Sequence, residues 1–524
     1  MIANATRPGP SENRCMKQES ANTVRSAFAT VSVLALCGAL CGCLPGPKYQ
    51  KPAAPVATAP AYKESPANFK DADGWKVAQP QEGMLRGKWW ETFNDAELNA
   101  LEDQLEINNQ NIKLYFENYM AARAVIKENQ AQYWPTVTTG PSWNRARSSA
   151  NLTNSSTANV GHESTEWTLP LDVSWTPDFF GKIRSQVRES QYAAQVSAAD
   201  LEVERLLEES TLAETYFQIR GQDELQRVLN DTVVADRKAL ELTQTQYDTG
   251  IASYIAVVQA RTTLQTAESE ALNVGVSRAQ YEHAIATLLG KPATDFSIPV
   301  KPLLITPPPI PIGLPSQLLE RRPDVAAAER TIAEANATIG IGYGAFFPTV
   351  TLSATGGFQA SQFTKWFDWP SNFWSIGPQL SQTLFNGGLY LAALHQYSAE
   401  YNSDVATYRQ TVLTAFQQVE DYLAATRILS EQILKQRQAV QSSQEYLDLE
   451  MYRYQTGVDP YIDVTIAQTT LLNNQQSLTT LSVQETVASI ELVQALGGGW
   501  DVSQLPTPKE VSQRASKGDY TRQK

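Results

Sequence analysis

The chain has 524 residues, 19% charged and 42% aliphatic or aromatic, the balance of a folded protein rather than a disordered one. A net charge of −13 leaves no basic face for phosphate and argues against a nucleic-acid partner. All four cysteines, Cys15, Cys37, Cys41 and Cys43, fall within the first 43 residues, which excludes a disulfide framework, a Cys-based metal site and a cysteine nucleophile from the body.

The N-terminus reads as a targeting segment. Lys17 and Arg25 are followed by an apolar run of 14 residues, Ala27 to Leu40. That is short of the roughly 20 residues a membrane helix needs and matches the core of a signal peptide. Residues 1–42 are therefore expected to be a signal peptide, with Met16 as an alternative start to Met1. Leu40-Cys41-Gly42-Cys43 has the form of a lipobox, and only Cys43 follows a small residue. Cys43 is thus the expected lipidation site, and its covalent lipid is the only cofactor expected. Leu44 in place of aspartate implies the outer membrane by the lipoprotein sorting rule. Residues 43–85, rich in Pro and Ala up to Tyr62, read as an extended tether.

The body is one unit written twice. Trp134-Pro135-Thr136-Val137 recurs as Phe347-Pro348-Thr349-Val350, and Phe179-Phe180-Gly181 as Phe385-Asn386-Gly387. Glu214-Thr215-Tyr216-Phe217 recurs as Glu420-Asp421-Tyr422-Leu423, Tyr247-Asp248-Thr249-Gly250 as Tyr454-Gln455-Thr456-Gly457, and Leu289-Gly290 as Leu496-Gly497. The order is kept and the offset stays between 206 and 213. Residues 86–290 and 321–500 are the two repeats; a Pro-rich linker, 291–320, joins them and a tail, 501–524, follows. Each repeat has a leading helical stretch (Asp95 to Trp134 in the first), a β-hairpin (135–176 and 348–384), and then a very long helical stretch, Lys182 to Thr249 and Leu389 to Thr456. A Thr-Gly tip and a return helix, Tyr254 to Leu289 or Tyr461 to Leu496, complete it. Helices of 68 residues would run roughly 100 Å and need lateral partners throughout, which predicts coiled-coil packing.

In the hairpins, Trp167, Leu169, Leu171, Val173 and Trp175 alternate with polar residues, as do Val350, Leu352, Ala354 and Phe358. Period two with one apolar face predicts half-buried strands, each about as long as a tilted transmembrane strand. Trp134, Trp143, Phe346, Phe347, Trp366 and Trp374 lie near strand ends, where an aromatic girdle would sit. A soluble β domain with that face turned inward is the alternative. Four strands cannot close a transmembrane barrel, and open edges are forbidden in lipid, so spanning strands require several chains to share one barrel.

Several motifs carry a family resemblance. They are Cys43-Leu44-Pro45-Gly46-Pro47-Lys48-Tyr49, Trp89-Trp90-Glu91-Thr92-Phe93, Leu314 to Asp324 with Leu319-Glu320-Arg321-Arg322-Pro323 at its centre, Arg453 to Asp459, and Ala495 to Trp500. With them the chain resembles the TolC-like outer-membrane factors, in particular the lipidated OprM/NodT-type branch. The resemblance implies an α+β membrane protein: a homotrimer with a 12-stranded transmembrane β-barrel continued by a long periplasmic α-helical tunnel. It implies a periplasmic adaptor (membrane fusion protein) and an inner-membrane RND-type transporter as partners, and a passive exit duct as the function. The competing reading is a non-conducting, lipid-anchored coiled-coil scaffold.

From the family, the tips Thr249, Gly250 and Ile251 and Thr456, Gly457 and Val458 are expected to meet the adaptor, and the gate to lie just beyond. The matching gate positions are Arg453, Tyr454, Asp459 and Asp463, with Tyr247 as the first-repeat counterpart of Tyr454. Where family members often carry a second acid, this chain has Ile466, and the first-repeat counterpart of Asp463 is Ala256, so a less acidic constriction is expected. His162, His283 and His395 are scattered and no phosphate-cradling Gly-rich motif is present, so neither a metal site nor an enzyme is expected.

Overall fold

A computed structural model describes residues 46–54, 62–64, 87–147, 149, 163–303, 307–308, 310 and 320–513. The expected signal peptide, Cys43, His162 and linker residues 304–306, 309 and 311–319 lie outside them. The chain divides into two compact units, one built on 125–190 and 333–402 with the N-terminal residues up to 50, the other on 51–124, 191–332 and 403–524.

The first unit carries the β structure. Its strands are β1 (Thr136–Thr139), β2 (Ser142–Arg147), β3 (Glu163–Trp175), β4 (Thr349–Ala360) and β5 (Asn372–Ser381). They form one antiparallel sheet in which β1 and β2 both pair with β3, β3 pairs with β4, and β4 with β5. The first hairpin therefore differs from the expected pair of strands: its outer arm is split at Gly140-Pro141. Proline has no N–H to give to the ladder, and glycine weakens a strand interior. The sheet is four arms wide and open, with the β1/β2 and β5 edges unpaired among the described residues.

Register sorts the two faces cleanly, because directly paired residues point the same way. One row reads Val137, Val173, Ala354, Ile376; the next reads Thr138, Asp172, Thr355, Ser375. The polar face is tied across the repeats by Thr355 Oγ1, which donates to Asp172 Oδ1 at 2.7 Å. The apolar face is not packed inward as a soluble β domain would require: Val137, Trp143, Leu171, Ile376 and Leu380 are exposed, and Trp374 is 77% exposed. Aromatic rings gather at both ends of the sheet. Trp143, Trp366 and Phe363 surround Trp167 at 5.0–5.8 Å at one end, and Phe180 stacks on Phe347 at 4.9 Å at the other.

The helices are α1 (Ala96–Asn108), α2 (Gln110–Ala131), α3 (Lys182–Asp248), α4 (Tyr254–Leu288), α5 (Pro323–Gly344), α6 (Leu389–Gln455), α7 (Tyr461–Ala495) and α8 (Pro508–Val511). The duplication is kept to the residue: α3 and α6 are each 67 residues long, and α4 and α7 are each 35. The leading helix of the first repeat is broken at Asn109, whose Oδ1 accepts from the N–H of Asn111 and Ile112 and so caps the second piece. Among the described residues, no helix is long and apolar enough to cross a membrane.

Each of α3, α4, α6 and α7 ends in a Schellman turn. Ile251 N donates to Gln246 O and Gly250 N to Tyr247 O; Val458 N donates to Arg453 O and Gly457 N to Tyr454 O. The return helices repeat this at Gly290 and Gly497.

The core of the second unit gathers around Trp89, Leu98, Leu105, Leu212, Phe217 and Ile285. Trp89 donates from Nε1 to Glu209 Oε2 at 3.1 Å, and Tyr216 from its hydroxyl to Asp95 Oδ2 at 2.8 Å. Arg220 is buried under the Tyr216 ring and pairs with Asp223 and Glu97. The Trp-Trp motif is thus a packing anchor.

The tether expected over 43–85 does not stand clear of the body where it is described. Gly46 lies so close to α5 that a Cβ there would sit 2.9 Å from the Gly340 Cα. Farther on, Tyr62 is buried, and the N–H groups of Lys63 and Glu64 donate to the Glu420 carboxylate of α6 at 2.8 and 3.0 Å. Extended backbone has unpaired donors, and a carboxylate offers two acceptors for them. The tail also folds back: Gln191 and Gln195 of α3 donate to Ser512 and Pro506.

The Schellman glycines separate backbone strain from crowding. At Gly457, with φ +76, an added Cβ meets open space; at Gly497, with φ +94, it would lie 2.0 Å from Arg321 O. Gly457→Ala is expected to cost only the left-handed strain, about 1–2 kcal/mol. Gly497→Ala must also displace the Arg321 backbone, and its thermal midpoint in detergent is expected to fall well below that of Gly457→Ala.

Candidate tunnel tip and gate

The turns joining α3 to α4 and α6 to α7 are equivalent in backbone, and their side chains have diverged. Thr249 and Thr456 each donate to the carbonyl four residues back, Thr245 O at 2.9 Å and Tyr452 O at 3.1 Å, which seals the last helical turn. The next residue after each glycine projects outward: Ile251 is 74% exposed and Val458 65%. Two apolar side chains at solvated helix ends have nothing to bury against within the chain, as an apolar partner would require.

The expected gate residues fall into three groups. Arg453 bridges the turn to Asp459, donating from Nη2 to Oδ1 at 2.9 Å while its Nε faces Oδ2. The Arg453 hydrogen bond holds Asp459 below the ordinary carboxylate value, and Asp459 in return raises Arg453. Asp463, in the first turn of α7, joins Asp459 and Glu450, and carboxylate oxygens of the three lie within 4.8 Å of one another. An acid at a helix N-terminus is favourably placed by the helix dipole. Ile466 stands half exposed one turn farther along α7.

Tyr454 goes elsewhere. It is buried in a seam with Ala239 of α3, Ala256 and Ala260 of α4, and Tyr461 and Val464 of α7. Its ring meets Tyr461 at 5.1 Å, and its hydroxyl lies 3.5 Å from Thr243 Oγ1 of the first repeat. Tyr247, its counterpart, is exposed and touches only the Tyr254 ring among the aromatic contacts of the tip, at 5.4 Å. The structure does not bring Tyr247 to the other five residues. The return helices differ at the matching position: Ala256 is buried in the cluster with Tyr454, whereas Asp463 stands in the first turn of α7.

Sequence reasoning missed Glu450, Thr243, Tyr461 and Asp236. Glu450 could have been found from its position three residues before Arg453 on one helix face. The other three are buried only because the second hairpin packs on the first.

The chain is similar to known outer-membrane proteins. The outer membrane efflux protein family model matches residues 101–291 and 314–498, one stretch in each repeat. The probable efflux pump outer membrane protein TtgC of Pseudomonas putida is 30% identical over 487 residues, 91% of this chain and 97% of that protein. Outer membrane protein OprJ of Pseudomonas aeruginosa is 31% identical over 482 residues, 90% of this chain and 96% of that one. Among solved structures, the outer-membrane channel OprN superposes with a TM-score of 0.78 at 25% identity, over 87% of this chain and all (100%) of that one. The Campylobacter jejuni CmeC outer membrane channel shares the fold at a TM-score of 0.79 and 20% identity, over 91% of this chain and 100% of that one. Repeat, sheet and helical hairpins together are those of these channels, and the chain belongs to the outer membrane efflux protein family.

Proposed function

We propose that three copies of this chain form the exit duct of a tripartite efflux pump, with twelve strands closing one barrel in the outer membrane and twelve long helical segments lining a periplasmic tunnel. The carrying observation is the sheet, which has one mainly apolar face, one mainly polar face and, among the described residues, two unpaired edges. Lipid requires all three to be resolved at once: the apolar face outward, the polar face toward water, and every edge paired with a neighbour. Membership of an efflux family supports a duct over the non-conducting scaffold.

In this reading Cys43 carries the lipid, and Gly46, three residues on, is packed against α5, so the chain can carry the anchor no more than about 10 Å from that contact. The adaptor meets the tips at Thr249–Ile251 and Thr456–Val458, and an inner-membrane RND-type transporter supplies the substrate and the energy. The gate is the second tip. Three copies of the Glu450, Asp459 and Asp463 cluster would ring the axis, with Ile466 as an apolar collar above it, and the Arg453–Asp459 bridge and the Tyr454 seam hold the tip inward.

Single-channel recording in planar bilayers tests the duct and its gate together. Wild-type protein is expected to give small, infrequent openings, and Arg453→Ala combined with Tyr454→Ala to raise open probability by at least about tenfold, the effect of a ~1.4 kcal/mol loss in closed-state packing. Tyr247→Ala, at the exposed counterpart, is expected to leave the current near wild type. Correctly inserted protein with no current in any variant sinks the duct in favour of the scaffold. Separately, Cys43→Ser is expected to abolish incorporation of labelled palmitate, and retained label would move the anchor to another residue.

A further inference from the structure

The seam beneath the second tip contains a group that the gate just described does not use. Asp236, on α3, is 2% exposed, and neither of its carboxylate oxygens has a hydrogen-bond partner. Its spacing to Ala239 and Thr243 puts all three on one face of the helix, and all three are buried. That face is the one that meets Tyr454 of α6 and Tyr461 of α7. Asp236 acts on the Tyr461 phenol directly, adding to the effect of burial in pushing it upward.

Among the described residues, no hydrogen-bond partner offsets a charge on Asp236. On α3 itself, the adjacent Arg237 is drawn away to Glu268 of α4 at 2.9 Å. From α4 the seam receives Ala256 and Ala260; from α6, Tyr454; from α7, Tyr461 and Val464. Arg453 of α6 is held by Asp459, and Glu450 and Asp463 cluster with that carboxylate. A buried carboxyl with no hydrogen-bond partner is costly when uncharged and far more costly when ionised.

We propose that Asp236 is a positioning residue of the gate: uncharged, it packs in the seam and keeps the two hairpins of a chain together, and ionised, it drives them apart and frees Tyr454 and Tyr461. The proposal rests on the reading of the second tip as the gate and supplies its regulation, a duct that closes more firmly as the periplasm acidifies.

The sign follows from proton linkage. Burial raises the carboxyl from 3.8 to about 6, so the packed seam binds the proton more tightly than a loosened one. The stabilisation from the proton is full below about pH 4, declines as pH climbs toward 6 and is gone above it. The gap between the two values caps the change in the packed-to-loosened ratio at about 100-fold.

Open probability of the purified full-length protein in planar bilayers, recorded from pH 4.5 to pH 7.5, reads this directly. Wild type is expected to open more often as pH rises, by tens of fold and at most about 100-fold. Asp236→Asn is expected to stay at the low-pH level throughout, as is Asp236→Ser, included in case the amide packs badly. Glu450, Asp459 and Asp463 remain in both variants, so any pH response carried by the exposed cluster would survive there. A wild-type response in both variants overturns the proposal. The Arg453→Ala, Tyr454→Ala pair is recorded alongside. If the pair opens the channel while the Asp236 variants behave as wild type, the Asp236 proposal alone fails. If the pair leaves the current unchanged, the second tip is not the gate and both readings fail.

Discussion

A backbone N–H or C=O left unpaired in hydrocarbon costs several kcal/mol, and a sheet edge presents a row of them. Among the described residues, the four-arm sheet of this chain has two such edges and an apolar face that is largely exposed. In water the face is the problem; in lipid the edges are. Neither solvent accepts the sheet as it stands in one chain, and each remaining feature of the β unit follows from resolving that. The rows of Val137, Val173, Ala354 and Ile376 and of Thr138, Asp172, Thr355 and Ser375 keep one face apolar and the other polar through the β3–β4 junction of the two repeats. A register slip of one residue at that junction would mix them. Gly357 protects this register, since a Cβ there would fall 2.0 Å from the Leu169 carbonyl oxygen.

Duplication supplies the helical unit with partners in the same way that the proposed trimer would supply the sheet. A 67-residue helix is far beyond what propensity sustains without packing, and here each long helix has a 35-residue return helix and a second copy of the pair to lie against. Duplicated units start equal and can then divide labour. The backbones of the two tips are still equal, down to the same two hydrogen bonds around Gly250 and Gly457. The side chains are not: within one chain Tyr454 is buried in the seam with Ala256, while Tyr247 is exposed. An acid at 463 and a methyl at 256 are therefore two halves of one arrangement, with the charge kept at the exposed end and the small residue beneath the ring.

The sequence disclosed what depends on local chemistry. The tips were legible because a helix of that length reverses only at a residue that tolerates positive φ, and Thr-Gly recurs at a fixed offset. The strands were legible from alternation, and the Trp-Trp motif as a packing anchor from its size and apolar character. What stayed hidden depends on pairs distant in the chain. Asn109 looks like any helix residue until Glu208 and the Leu288 carbonyl take its side-chain amide. Tyr62 lies in a Pro- and Ala-rich stretch that reads as a free tether, and its docking is written in Glu420 and Arg427, more than 350 positions away. Asp236 sits between Val233-Val234-Ala235 and Arg237-Lys238, with no local sign of whether it faces water, and the seam that buries its face of the helix includes Tyr454 and Tyr461 of the other repeat.

The same dependence explains why this tip can be both stable and ready to move. The seam is built from contacts that differ in kind: a Tyr–Tyr edge contact, alanine methyls, a long hydroxyl pair at 3.5 Å, and a sealed carboxyl with no partner. The first two hold well and are indifferent to solution conditions. The last two contribute little or cost something, and a charge on Asp236 makes the cost larger. A seam of apolar contacts alone would be tighter, and nothing short of an external force would open it. Leaving one polar group unsatisfied lowers the energy gap between packed and loosened states to a size that a partner docking on the exposed Ile251 and Val458 could supply. In the proposed duct, this imperfect packing beneath the tip is what would let an adaptor loosen the seam without dismantling the helices above it.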